Sequence, residues 1–181
     1  GINLAAVVSL MVSSTSDGLH DLKLDGVEGM NCDFVVVNQQ LSNVYSERME
    51  RSLPSPDRNW LEHLRFGHTP YESEAVHENI EIKNVIARDC EGAIWLAKTS
   101  SLLVQNVLIE ESREGFGGIQ ISHSREVSVE CVNVGSEQRS GGYGFGVVMV
   151  LMSHRVWISR VKVDSTHPSM WYHAVFYSVG P

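Results

Sequence analysis

From residue 79 onward, apolar and polar positions alternate in short runs that return four times. The first run places Ile80, Ile82, Val85 and Ala87 at equivalent positions, and the second places Leu102, Val104, Val107 and Ile109 there. The third has Val127, Val129, Val132 and Val134, and the fourth Val156, Ile158, Val161 and Val163. Alternation with period two is the mark of a strand with one buried face. Between the second and third member of each set the phase slips by one residue. A slip of one turns the apolar set to the other face unless the chain bends there. Each run therefore predicts two short strands around a corner. Asn84 and Asn106 occupy that corner, and Asn tolerates the left-handed backbone a corner needs.

A further strand follows each run after a loop of variable length: Ile94 to Leu96, Ile119 to Ile121 and Val148 to Val150. The next run begins six residues later each time (102 − 96, 127 − 121, 156 − 150). Gly92, Gly117 and Gly146 each precede these strands by two residues, and the fourth run is expected to close with Val175 to Tyr177. Starts of the runs are 22, 25 and 29 residues apart (102 − 80, 127 − 102, 156 − 127), so the period is fixed on one side and loose on the other. This is the signature of an internal repeat.

Three strands per repeat, one variable loop and an inward apolar ladder resemble the pectate-lyase-like superfamily of right-handed parallel β-helices. The resemblance covers residues 79–179 and extends to the stacked corner Asn of that superfamily. Cys131 and Arg160 depart from it at the same position. It implies an all-β fold, a right-handed parallel β-helix solenoid of about five or six coils. At about 4.8 Å per coil the body would be roughly 25–30 Å long.

Earlier in the chain, a strand at residues 2–4 with the next run starting at Leu10 would repeat the six-residue spacing. Leu22, Leu24, Val27 and Phe34 to Val36 suggest another coil that can be phased in two ways. Residues 39–77 break the pattern with Pro54, Pro56 and Pro70 and many charges. They are expected to be an insertion between coils, with a short helix near 57–66 capped by Asp57. The whole, residues 1–181, reads as a single domain. Its ends lack the polar caps solenoids need, which suggests part of a larger chain or assembly.

Composition narrows the function. The net charge of −8 argues against nucleic acid, which wants a basic patch. No apolar stretch is long enough to span a membrane. The three cysteines, Cys32, Cys90 and Cys131, cannot all pair within one chain, lack zinc-ligand spacing, and are expected to be buried thiols. Eight scattered histidines show no tight ligand spacing, so no metal site is assigned; calcium is the one ion the acidic loops could take.

Chemistry is expected on the variable loops, which stacking would place along one edge. They carry Arg88, Arg113, Arg139 and His167 beside Asp89, Glu91, Glu110, Glu111, Glu114, Glu137 and Asp164, with Phe116, Tyr143, Trp171 and Tyr172. A carboxylate pair can act as acid and base in glycoside hydrolysis, and an Arg or His can abstract a proton in β-elimination. Aromatic faces would stack on sugar rings. Arg113, Glu114, Glu111, Asp164 and His167 are the catalytic candidates, and Arg88, Arg139, Tyr143 and Trp171 the substrate-binding ones. The signature motifs of polygalacturonases, pectate lyases and alginate epimerases are missing. The expectation is thus carbohydrate interaction in an extracellular or virion-surface setting, by a polysaccharide lyase or glycoside hydrolase if an enzyme at all. A non-catalytic receptor-binding or structural module of a viral tailspike or surface adhesin is the alternative. Trp95, Met149 and Phe176 fall on the outward side of their strands. As an apolar strip they predict a cover, either residues 39–77 or a second subunit in a homo-oligomer.

Overall fold

The structure, a computed structural model, describes residues 6–10, 18–38, 77–90, 92–112, 118–135, 146–151, 153–163 and 173–178. These form eleven strands and no helix: β1 (Ala6–Leu10), β2 (Lys23–Met30), β3 (Phe34–Asn38), β4 (His77–Cys90), β5 (Gly92–Ala97), β6 (Thr99–Ser112), β7 (Ile119–Ser122), β8 (Arg125–Val134), β9 (Gly146–Leu151), β10 (His154–Val163) and β11 (His173–Ser178). Odd-numbered strands make a six-stranded sheet in the order β1-β3-β5-β7-β9-β11, and even-numbered strands a five-stranded sheet in the order β2-β4-β6-β8-β10. Every pairing is parallel. The chain crosses from one sheet to the other and back, and each circuit advances by one strand. Neither sheet closes on itself.

The apolar columns read from the sequence stack in register. Ile80 pairs with Leu102, Leu102 with Val127, and Val127 with Val156. In the other sheet Val36, Ile94, Ile119, Val148 and Val175 form one column. Ile80, Leu102 and Val127 are buried in the core between the sheets, whereas Val156 is half-buried because β10 is the edge strand of its sheet among the described residues.

Each run forms one continuous strand rather than the two expected around a corner, and the expected corner position is left-handed within it. Asn84, Asn106, Cys131 and Arg160 have φ of 53°, 58°, 56° and 54°, and Gly26 completes the column at 72°. The phase slip, rather than the residue type, sets this backbone, since Cys131 and Arg160 adopt it as well. A second left-handed column was not foreseen. It contains Asp21, Asn79, Ser101, Glu126 and Arg155, with φ between 53° and 55°. It lies where the chain enters the five-stranded sheet, and it turns the fixed six-residue link.

The first strand corrects the early phasing. Ala6–Leu10 pairs with Phe34–Asn38, so the strand falls after residues 2–4, where the spacing put it, and takes in Leu10, where the next run was expected to start. For the next circuit, Leu24 pairs with Ile82 and Val36 with Ile94, which fixes its phase. Residues 39–76, including the expected helix at 57–66, lie outside the described residues, and His77 is already part of β4.

The sheets differ in how they meet water. Strand β4 alternates buried and part-exposed positions along its length, as a sheet with one wet face should. In the six-stranded sheet the alternation is lost: Val37 and Met149 are fully buried and Gln120 is 8% exposed, although all three point away from the core. The outward column is as expected, with Val37, Trp95, Gln120, Met149 and Phe176 in register. Trp95 also packs on Phe34, ring centroids 5.0 Å apart. Within the single chain Val37, Gln120 and Met149 of this column are buried and Trp95 is half-buried.

Candidate functional site

The edge that bears the variable loops is defined by where strands end and resume. Ala87, Ile109, Val134 and Val163 are consecutive partners at the ends of the five-stranded sheet. The six-stranded sheet resumes at Gly92, Ile119, Gly146 and His173. Every connection between these ends therefore leaves and re-enters on the same side. The connections are residues 31–33, then 91, then 113–118, then 135–145, then 164–172, so the last two are the longest.

Of the residues selected for chemistry, Arg88 is described in full. It sits near the end of β4, where Met30 pairs with it from β2 and Glu110 pairs with it from β6. Its Nε donates to Glu110 Oε2 at 2.6 Å, and its Nη1 makes an ion pair with Glu28. Arg88 thus bridges three successive strands. Glu28 was missed because nothing in β2 marks it until the register is known. Glu111 lies in β6. Arg113, Glu114, Arg139, Tyr143, Asp164, His167 and Trp171 lie outside the described residues.

The outer face of the five-stranded sheet carries a lattice of charges. Lys23 lies 3.2 Å from Glu81, which also meets Lys83; their hydrogen bonds, Lys83 first, hold the Glu81 carboxyl below its ordinary range. Ser101 and then Arg155 do the same for Glu126, with the Ser101 hydroxyl donating at 3.0 Å and Arg155 at 2.8 Å. Arg160 donates to Glu130 at 2.9 Å. Pairs as exposed as these add little to stability. They place both signs of charge side by side on the described part of this face. Trp157 stands on the same face, 73% exposed.

A buried polar column was also missed. His77, Thr99, Ser124 and Ser153 occupy equivalent positions just before the second left-handed corner, all nearly without solvent exposure. The hydroxyls are committed to the backbone and to each other. Thr99 Oγ1 donates to Ser124 Oγ at 2.9 Å, Ser124 Oγ to the Ser122 carbonyl at 2.8 Å, and Ser153 Oγ to the Leu151 carbonyl at 2.8 Å. None is placed as a nucleophile. His77 Nδ1 accepts from the Leu19 N–H at 3.1 Å, which puts the ring proton on Nε2. That atom is buried and has no hydrogen-bond partner among the described residues. Burial, and then the nearby His20, lower the pKa of His77.

Among the described residues no three His, Cys, Asp or Glu side chains are grouped to hold a metal ion, and no helix is long and apolar enough to cross a membrane. No protein-family model matches the chain, and comparison with curated proteins and with solved structures likewise returned no significant match.

Proposed function

We propose that the two parallel sheets are faces of a right-handed parallel β-helix, and that its loop-bearing edge binds polysaccharide. The handedness follows from general sterics. A connection between neighbouring parallel strands of one sheet, here from β3 through β4 to β5, is right-handed in nearly all proteins. The binding reading is carried by one observation: the variable connections leave the five-stranded sheet and rejoin the six-stranded sheet on a single side, and the last two are the longest. A row of loops over a rigid scaffold is where solenoids place recognition. An extended chain of sugars suits such a row, and Arg113, Glu114, Arg139, Tyr143, Asp164, His167 and Trp171 supply charges and ring faces for it.

A second reading, a non-catalytic module like those of tailspikes or adhesins, draws support from Arg88. Its guanidinium is engaged by Glu28 and Glu110, so this basic residue acts as a strut between strands. A glycan array probed with the wild-type chain and the Arg113→Ala/Glu114→Ala double variant tests the binding reading. Retention of a polysaccharide by the wild type and its loss in the variant is the expected result. Absence of any retained glycan sinks the proposal. Product analysis of a retained glycan by mass separates the two readings: cleavage marks the enzyme, and an intact chain marks the module.

A further inference from the structure

Cys32 and Cys90 occupy equivalent places on neighbouring circuits. Met30 is the register partner of Arg88, so counting two residues on brings Cys32 opposite Cys90. Their sulfurs are 3.1 Å apart and both side chains are buried, at 6% and 2% exposure. Neighbouring parallel strands hold facing Cα atoms about 4.8 Å apart, inside the span a disulfide bridges. Gly29 leaves room for this approach, since a Cβ there would lie 3.1 Å from Cys32 Sγ. The third cysteine does not compete. Cys131 sits at the left-handed corner opposite Asn106, a different column, and the next position beyond Cys90 is Ser112.

We propose that Cys32 and Cys90 are the site of a structural disulfide, formed by exchange with a small-molecule disulfide as the circuits stack. One thiolate attacks oxidised glutathione and releases one reduced glutathione. The other thiolate then attacks the mixed disulfide and releases the second. Two protein thiols are oxidised, one glutathione disulfide is reduced, and the two protons pass to the glutathione thiolates. Closing from 3.1 Å to the bond length of about 2.05 Å asks for about 1 Å of movement. The bond would join the connection between β2 and β3 to the end of β4, two places separated in sequence by β3 and residues 39–76. A cross-link closing a loop this long removes much freedom from the unfolded chain. Once buried it is shielded from thiols in the folded state.

The test uses the full chain refolded in a mixture of oxidised and reduced glutathione, alkylated with iodoacetamide in denaturant, and weighed intact. The bonded chain takes up one alkyl group, on Cys131, where the reduced chain takes up three. Peptide mapping is expected to join the peptides of Cys32 and Cys90. Thermal melting of the same samples is expected to show the oxidised chain several degrees above the reduced one. Cys90→Ser and, independently, Cys32→Ser should melt alike in both buffers. Three alkyl groups after refolding, a bond to Cys131, or equal melting of oxidised and reduced wild type would each overturn the proposal.

Discussion

Asn106 donates its side-chain amide to the Asn84 carboxamide oxygen on the neighbouring strand, at 3.1 Å, and Asn84 donates in turn to Asp25 at 2.6 Å. In this short ladder Asn106 and Asn84 belong to a column, Gly26 to Arg160, whose backbone is left-handed at each position, and Asp25 precedes Gly26. A β-branched residue resists that backbone, and a residue without the amide loses the bond. Asn106→Val should therefore lower stability by about 2 kcal/mol or more, and Asn106→Gly by about 1 kcal/mol. Cys131→Asn, at the next step of the column, should raise stability by about 0.5–1 kcal/mol, because Asn suits the same φ and can extend the ladder. Urea melts of the three variants check the order, and a destabilised Cys131→Asn would show that the ladder does not govern the corner.

Gly118 faces Ile109 across the core. A Cβ on Gly118 would lie 2.2 Å from Ile109 Cδ1 and 3.1 Å from the Val147 carbonyl oxygen. The neighbouring positions in its column, Val35, Ala93 and Val147, carry core side chains, so Ile109 fills the space that Gly118 leaves. Gly118→Ala should cost about 1–3 kcal/mol by overpacking. Ile109→Val removes the offending methyl. Alone it should cost about 0.5–1.5 kcal/mol, but in the Gly118→Ala background it should restore stability. A double-mutant cycle measures the coupling; additive losses would contradict the contact.

Legibility in the sequence followed periodicity. Where apolar residues alternate strictly, as at Ile80, Ile82, Val85 and Ala87, column, corner and register were all readable. Where the run is unbroken they were not: Ala5-Ala6-Val7-Val8 offers the same hydrophobicity in either phase, and β1 falls after residues 2–4, where the spacing had put it. The second left-handed column was hidden because Asp21, Asn79, Ser101, Glu126 and Arg155 share no residue type. The charges around Arg88 showed the same limit. Glu110 could be chosen from its loop, but Glu28 meets Arg88 only through the pairing of β2 with β4, a relation across the insertion that spacing does not reveal.

His77 should make stability depend on pH. Its pKa is lowered in the folded chain, chiefly by burial, so the unfolded chain binds a proton more readily near the ordinary value of about 6.5. The stability this neutral ring contributes is complete above that value and falls as pH drops below it. His77→Gln removes the titration. The difference in urea midpoint between wild type and variant should shrink from pH 7.5 to pH 5, while the exposed His20 nearby remains in both. A difference independent of pH would show that His77 is not buried neutral.

Met149 points away from the core and is nonetheless fully buried, next to the buried Gln120 in the same outward column. Two explanations compete for such a strip. If a second subunit supplied the burial, Met149 and Gln120 would be wet in the isolated chain, and they are not. Met149→Ser would then place a hydroxyl in an apolar site and delete most of a large side chain, a loss of about 2–4 kcal/mol. Trp95 is only half-buried and packs on Phe34, so Trp95→Ser should cost less than a fully buried aromatic would. The double variant should melt well below wild type and keep the same molar mass by light scattering. A fall in mass would restore the subunit interface, and unchanged melting would mean that the strip is open to water. Mass and melting together therefore decide between a surface made for a partner and a face the chain has already closed.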